Sequence, residues 1–368
     1  MLSDIASGIL VAAILGLAGW FVRSGRLQHA ADEVRILFRS QEINTRAGDG
    51  HASLLRTIVA DQSRSGSHKG QFGRSASLAE DRAFNPTRER ISPKPRMYLT
   101  RWPCLILARH RLAPRQVKLA VTGVKNLFKN GYIMGEEEWS QIPGRRPGLL
   151  YNYRHTICGA LILVEQVGWN SISETVIGRM LERDNQWQNP DGGWAHSSPL
   201  PSASDLYSTL YSIQLLEWAL NSDRASSLAD AANPRIERSL DYLSNCWEAN
   251  GWEFGSLSSQ EIFPQAFIEV ADAIRIRRPE LHAAVVAELL LQLNPTGGLT
   301  EEYLQHADRG VSEERHLARF AYATYCAQQP TATWQRLARD ALAGEIAALN
   351  SVEAAFLLDL HLSHQDTD

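Results

Sequence analysis

Cysteine is scarce in this sequence and never paired. The four residues Cys104, Cys158, Cys246 and Cys326 lie far apart in 368 positions and form no CxxC. That excludes a disulfide framework and a zinc-finger pattern, and suits free thiols that behave as small hydrophobes in a reducing compartment. A large excess of one charge is missing too. The net charge is −4, so bulk attraction to nucleic acid is not implied. No run of alternating apolar and polar residues suggests a sheet. No positive charge precedes the one long apolar run, as a cleaved signal peptide requires. What is present, 44% hydrophobic and 21% charged residues, is the balance of a globular chain long enough to bury a sizeable core.

The long apolar run is Ile5 to Val22, IASGILVAAILGLAGWFV, uncharged over 18 residues. That length is at the lower end of what spans a bilayer core. Asp4 precedes it, and Arg23 and Arg26 follow, so the positive-inside rule leaves the bulk of the chain cytoplasmic. The expectation is a single-pass anchor, residues 1–23, in the cell inner (plasma) membrane. Trp20 stands where an interfacial aromatic would. Gly8, Ala12 and Gly16 recur every four residues, a small-residue face that permits self-association through close helix pairing.

Residues 24–96 read as a basic, partly disordered juxtamembrane linker. Between residues 23 and 101 there are 15 Lys/Arg against 8 Asp/Glu. The stretch DQSRSGSHKGQFGRSAS, Asp61 to Ser77, has too little aliphatic content to order itself by burial. His29 to Ile43 could form a short juxtamembrane helix. The excess of basic residues suits either an anionic leaflet or a solvated linker. Asn85 to Arg96, NPTRERISPKPR, is proline-rich and extended, so the folded domain is expected over residues 97–368.

From about residue 115 the chain repeats one theme: an amphipathic helix, a glycine-containing elbow, then an aromatic residue or leucine. The elbow glycines Gly131, Gly192, Gly251 and Gly297 are about 60, 60 and 45 residues apart. Second helices begin near His155, Asp205, Ile262 and Glu313, and ATWQRLARDALAGEIAAL with VEAAFLLDLHL completes another pair. Self-similarity at this period means stacked helix pairs. The fold expected is all-α, with about five helical hairpins.

The elbow QNPDGGW, Gln188 to Trp194, fits the pattern Q-x(2–5)-G-x-W. Gln292, Gly297 and Leu299 repeat it with leucine for tryptophan, and Gly251-Trp252 is a degraded copy with Trp247 near the glutamine's place. On these residues, over roughly positions 100 to 365, the chain resembles the terpenoid cyclase/protein prenyltransferase superfamily of α/α toroids, with squalene-hopene cyclase-like QW repeats. The resemblance implies a complete or incomplete α/α toroid whose second helices line a central cavity. It also implies that the elbow is structural. Gly192 and Gly193 would take positive φ to reverse the chain, Asp191 would bond the turn backbone, and Trp194 would set the hairpin angle.

The chemistry of that superfamily finds few of its residues here. The stretch after the elbow, Ser202-Ala203-Ser204-Asp205, keeps only the last aspartate of a DxDD acid motif, and no Asp-x-Cys zinc motif exists. His155, Cys158, Asp205 and His316 are zinc-ligand types without the expected spacing. No metal or cofactor is therefore expected. Asp205 is the one candidate catalytic acid, and it equally suits a helix N-terminus. Candidate cavity residues on the second helices are His155, Cys158, Tyr207, Ser208, Tyr211, Glu269, Asp272 and His316. Asp205, Ser208, Thr209 and Ser212 form a polar stripe at i, i+3, i+4, i+7. Two readings stay open. One is a membrane-anchored, non-catalytic toroid that binds a partner protein or ligand at the cytoplasmic face of the lipid bilayer. The other is an enzyme handling an isoprenoid or lipid ligand with Asp205 in a central cavity.

Overall fold

Helices that are apolar all round must be buried all round, and this chain alternates such helices with amphipathic ones. The structure, a computed structural model, describes residues 50–63, 69–73, 97–129, 153–183, 185, 187–196, 203–252, 262–295, 297–306 and 311–365. The expected anchor, its Gly8/Ala12/Gly16 face and the juxtamembrane helix over 29–43 lie outside the described residues. Among the described residues no helix is long and apolar enough to cross a membrane. The chain divides into two compact units, residues 1–53 and 54–368, and the helices of the second build the fold.

Among the described residues the protein is all-α apart from one two-stranded ribbon. In chain order the elements are α1 (Gly50–Ala60), α2 (Met97–Arg109), α3 (Pro114–Lys129), α4 (Tyr153–Val167), α5 (Ser171–Leu181), β1 (Trp194–Ala195) and β2 (Ser204–Asp205). They continue with α6 (Leu206–Leu220), α7 (Ala225–Asn250), α8 (Ile262–Arg277), α9 (Pro279–Leu291) and α10 (Glu301–His306). The last are α11 (Glu313–Cys326), α12 (Thr331–Ala343), a 3₁₀ turn (Ile346–Ala348) and α13 (Ser351–Gln365). β1 and β2 pair antiparallel, Trp194 opposite Asp205.

Six helices form a closed packing order. α2 packs on α4, α4 on α6, α6 on α8, α8 on α11, α11 on α13, and α13 returns to α2. Three of these helices are buried on every side over their central turns. In α4 the residues from Thr156 to Val164 are all buried, in α11 those from His316 to Thr324, and in α13 those from Ser351 to Leu360. The remaining long helices sit against this set: α3 on α2 and α4, α5 on α4, α7 on α6, α9 on α8 and α11, and α12 on α11 and α13. The amphipathic α3 buries only one stripe, from Ala120 to Phe128. Hairpins counted from residue 115 omit α2, which is the helix on which α13 closes.

Part of the expected linker is built into the core. Leu54, Leu55, Ile58 and Phe72 belong to the buried cluster. The Ser/Gly-rich residues after α1 are held by hydrogen bonds instead of apolar burial. Gln62 Nε2 donates to the carbonyls of Gly70 (2.9 Å) and Gln116 (2.8 Å), and the Phe72 amide donates to Thr100 Oγ1 at 3.2 Å. Composition alone misses this, because the partners lie on α2 and α3.

The QNPDGGW elbow is a tie between helices. Gln188 Nε2 donates to the carbonyls of Gly192 and Arg235, both at 3.0 Å, and to Ser239 Oγ at 3.1 Å. Trp194 is fully buried, and its Nε1 donates to Ser239 Oγ at 2.8 Å. Arg235 and Ser239 are on α7, so the elbow fastens that helix to the entry of α6. Asp191 Oδ1 accepts from the Gly193 amide (3.0 Å) and the Ser204 hydroxyl (2.7 Å). Gly192 has φ +89°, as expected of the turn. Gly193 does not take positive φ, contrary to the sequence expectation. It is glycine because a Cβ there would stand 2.4 Å from Ser204 Cβ.

The second elbow copies the first in its backbone. Asn189 N to Gly193 O (2.8 Å), Gly192 N to Asn189 O (3.0 Å) and Ala195 N to Trp187 O (2.8 Å) recur as Asn294 N to Gly298 O (3.1 Å), Gly297 N to Asn294 O (3.0 Å) and Thr300 N to Gln292 O (2.9 Å). The bridges Gln188–Trp194 and Leu293–Leu299 match in the same register. Leu293, and not Gln292 as the sequence pattern suggested, therefore holds the place of Gln188.

Candidate functional site

A cavity of about 1120 Å³ is lined from all six helices of the closed order. Its walls include Arg101, Trp102 and Arg109 from α2, Leu161 and Glu165 from α4, and Gln214, Glu217 and Trp218 from α6. Glu269 and Asp272 come from α8, Tyr322 and Tyr325 from α11, and Ser363 from α13. α4, α6, α8, α11 and α13 contribute mainly from their C-terminal halves, and α2 contributes along its length, from Arg101 to Arg109. Unsatisfied carbonyls and the negative ends of the helix dipoles gather there.

The wall is organised around one guanidinium. Arg101 Nε and Nη2 donate to Glu165 Oε1 at 3.0 and 2.6 Å, and Nη1 donates to Glu269 Oε2. Glu269 also accepts from Trp102 Nε1 (2.6 Å), Gln214 Nε2 (2.9 Å) and Gln265 Nε2 (3.2 Å). The cluster thus fastens α2, α4, α6 and α8 together. Two carboxylates share one guanidinium, which leaves one negative charge in excess in a buried place. Burial raises the Glu165 carboxyl above its ordinary range, against the opposing pull of Arg101. Arg101 itself stays charged: burial works against its proton, but Glu165 and Glu269 outweigh that.

The other arginines facing the cavity are also paired. Arg109 Nη1 donates to Asp359 Oδ2 at 2.7 Å. The same carboxylate accepts from Tyr322 OH and lies against His110 Nε2, both at 2.6 Å. Burial would raise Asp359, but the bonds from His110 and Tyr322 and the Arg109 charge hold it below its ordinary value. Arg277 donates to Glu217 (2.6 Å) and Glu237 (2.9 Å). Between α11 and α13, Arg319 donates to the fully buried Glu353 at 2.8 Å. Aromatic rings complete the walls. Trp102 meets Tyr322 and Phe356 edge-on at 5.6 and 5.3 Å, and Tyr325 meets Trp334 at 5.8 Å.

Of the residues singled out in the sequence, Glu269 and Asp272 line this cavity, Asp272 at its exposed edge in a pair with Arg275 (2.9 Å). The others sit elsewhere. Asp205 is the N-cap of α6, where its Oδ2 accepts from the Ser208 amide and hydroxyl, each at 2.7 Å. Nine residues of helix, about 14 Å, separate it from Gln214, the first α6 residue at the cavity. The polar stripe after it is engaged with backbone: Thr209 Oγ1 donates to Asp205 O and accepts from the Trp194 amide, and Ser212 Oγ donates to Ser208 O. Tyr207 stacks on Tyr211 and receives the Arg154 guanidinium 4.7 Å above its ring. Tyr211 and Cys158 are buried, and burial pushes both hydroxyl and thiol up. His155 is half-buried near the N-terminus of α4. His316 is buried, with Nδ1 at 3.2 Å from Tyr303 OH. Among the described residues no group of three or more His, Cys, Asp or Glu side chains is placed to hold a metal ion.

Apart from Glu269 and Asp272, the residues the sequence pattern points to lie in the first two turns of the second helices, while those helices line this cavity mainly from their C-terminal halves. A signal for the latter is present in the chain. Glu165 in GALILVEQV and Gln214 in SIQLL are polar residues that follow or interrupt apolar runs, where a buried polar group needs partners. Arg101 carries no such signal, because α2 precedes the repeated hairpins. Set beside known proteins, the chain gives no significant match to any protein-family model, any curated protein or any solved structure.

Proposed function

We propose that residues 97–368 form an α/α toroid which binds a ligand in its central cavity without transforming it, and which the apolar run at residues 5–22 holds at the cytoplasmic face of the inner membrane. The cyclic packing order of α2, α4, α6, α8, α11 and α13 supports the toroid. The charge composition around Ile5 to Val22 supports the anchor.

One observation carries the binding reading. The cavity draws on all six helices and has the size of a small-molecule site, yet its charged groups hold one another. Arg101, Glu165 and Glu269 form a bonded cluster, Arg109 is paired with Asp359, and Arg277 with Glu217. Such a cluster orients a bound molecule. It does not supply a free nucleophile or a general base within reach of its own activating partner. The enzymatic reading through Asp205 gains no comparable support, since that carboxylate caps α6.

The test is native mass spectrometry of the full chain purified in dodecyl maltoside, beside an Ala273→Trp variant that puts an indole into the cavity wall. A stoichiometric small molecule on the wild type, missing from the variant and recovered chemically unchanged, is the expected result. An empty wild type, or a protein partner retained equally by both forms, would overturn the cavity reading.

A further inference from the structure

Resting on that ligand-binding reading, we infer that the cavity selects an organic ammonium ion, its positive nitrogen directed to Glu165 and its apolar body to the aromatic wall. Four features point the same way.

The first is charge balance. Glu165 and Glu269 share Arg101, so with both carboxyls ionised the cluster has one negative charge more than that guanidinium supplies. Such a charge is costly without a counter-ion. Glu269 is 2% exposed at its side chain and already accepts four hydrogen bonds, whereas Glu165 keeps 11% of its side chain open and, among the described residues, accepts from Arg101 alone. The deficit therefore opens to the cavity at Glu165.

The second is that the positive groups are already engaged. Arg277 is held between Glu217 and Glu237, and Arg109 lies against Asp359. Asp272 at the rim is likewise paired, with Arg275. An anionic ligand would have to displace these pairs, while a cation meets Glu165, the carboxylate left partly open to the cavity. The third is that α4, α6, α8, α11 and α13 line the cavity mainly from their C-terminal halves, which adds partial negative charge at the same end. The fourth is the wall itself. Trp218 and Tyr325 are half-buried aromatics on the cavity lining, and ring faces attract cations that have shed part of their water.

The experiment is isothermal titration calorimetry on the full chain in dodecyl maltoside with three probes of one shape. Benzyltrimethylammonium is the cation, neopentylbenzene its uncharged counterpart and benzylphosphonate an anion. The cation is expected to bind at least tenfold tighter than either of the others. Glu165→Gln should lower its affinity about tenfold. Trp218→Leu, which keeps an apolar side chain at a half-buried position, should weaken the cation and leave the neutral probe unchanged. Displacement of the bound cation by dihexanoylphosphatidylcholine assigns the ammonium to a lipid headgroup. Failure to displace assigns it to a free amine, and both keep the proposal. Equal or tighter binding of the neutral or anionic probe overturns the charge selection while leaving a ligand-binding cavity. Binding of none of the three, with no co-purified ligand, overturns both.

Discussion

Three Gly→Ala substitutions separate the physical roles that glycine plays in this fold. Gly178 lies inside α5 at ordinary helical φ, with no atom within 4 Å of where a Cβ would stand. Alanine there removes chain entropy only from the unfolded state, and a gain of roughly 0.5–1 kcal/mol is expected. Gly251 ends α7 at φ +60° in equally open space. Alanine meets no neighbour, but incurs the left-handed backbone penalty of about 1–2 kcal/mol. Gly192 combines φ +89° with a close approach: its Cβ would stand 2.1 Å from the carbonyl oxygen of Arg238 on α7. Relief requires the elbow to withdraw from α7. That breaks the bonds from Gln188 to Arg235 O and Ser239 Oγ, and from Trp194 to Ser239 Oγ. At about 1 kcal/mol each, added to the backbone penalty, the loss comes to roughly 4–5 kcal/mol, a large part of the stability of an ordinary domain. Urea unfolding followed by tryptophan fluorescence reads the series. The midpoint should rise slightly for Gly178→Ala, fall modestly for Gly251→Ala and fall by about 1.5 M for Gly192→Ala at a slope near 3 kcal/mol/M. If Gly192→Ala behaves like Gly251→Ala, the contact between elbow and α7 carries no energy, and the account of QNPDGGW as a tie between helices is wrong.

The charged groups give further expected outcomes. Arg101→Leu strands Glu165 and Glu269 and should cost about 3–5 kcal/mol, measurable in the same urea assay; a loss below about 1 kcal/mol would mean that the cluster does not fasten α2, α4, α6 and α8. Asp205→Ala should lose about 1 kcal/mol of stability and Asp205→Asn a few tenths, since asparagine also caps; a large loss in the asparagine variant would point to a role for the charge itself. Glu353 is buried, which raises its carboxyl, but Arg315 and Arg319 outweigh burial and hold it below the ordinary range. Its stabilisation is therefore present above the usual carboxylate pKa of about 4.3 and lost as pH falls through the depressed value. Melting temperature against pH should flatten in acid for Glu353→Gln relative to wild type, and an unchanged acid limb would refute the assignment. Glu165 has the opposite sign, because burial raises its carboxyl. Its share of stability is present below about pH 4.3 and lost as pH rises through the raised value. Between about pH 4 and pH 7, Glu165→Gln should therefore lose less stability with rising pH than wild type does.

Much of this architecture is legible in the chain because its rules are local. Apolar residues on every side of ALILV in α4 or FAYAT in α11 mark a helix with no solvent face, and the stripe in α3 marks one with a single buried face. Turn chemistry is equally local, so Gln188 to Trp194 declares an elbow without reference to its partners. Where sequence expectation and structure part, the cause is distance along the chain. Leu293 takes the place of Gln188 because the backbone register counts from the glycines, and the neighbouring Gln292 misleads a pattern built on residue type. Gly193 needs to be glycine for the sake of Ser204, eleven positions away.

The sequence by itself determined the all-α class, the pairing of helices, their elbows and the expectation of an apolar anchor, since each depends on periods of a few residues or on an uninterrupted run. Only the tertiary structure decided which ends of the helices share a cavity and which side chains meet there. Arg101 bonds Glu165 and Glu269 across 64 and 168 positions, and Arg109 bonds Asp359 across 250. No spacing along the chain encodes such pairs. They arise because α13 packs back on α2 and brings six helices around one space, where buried charge must find its partner.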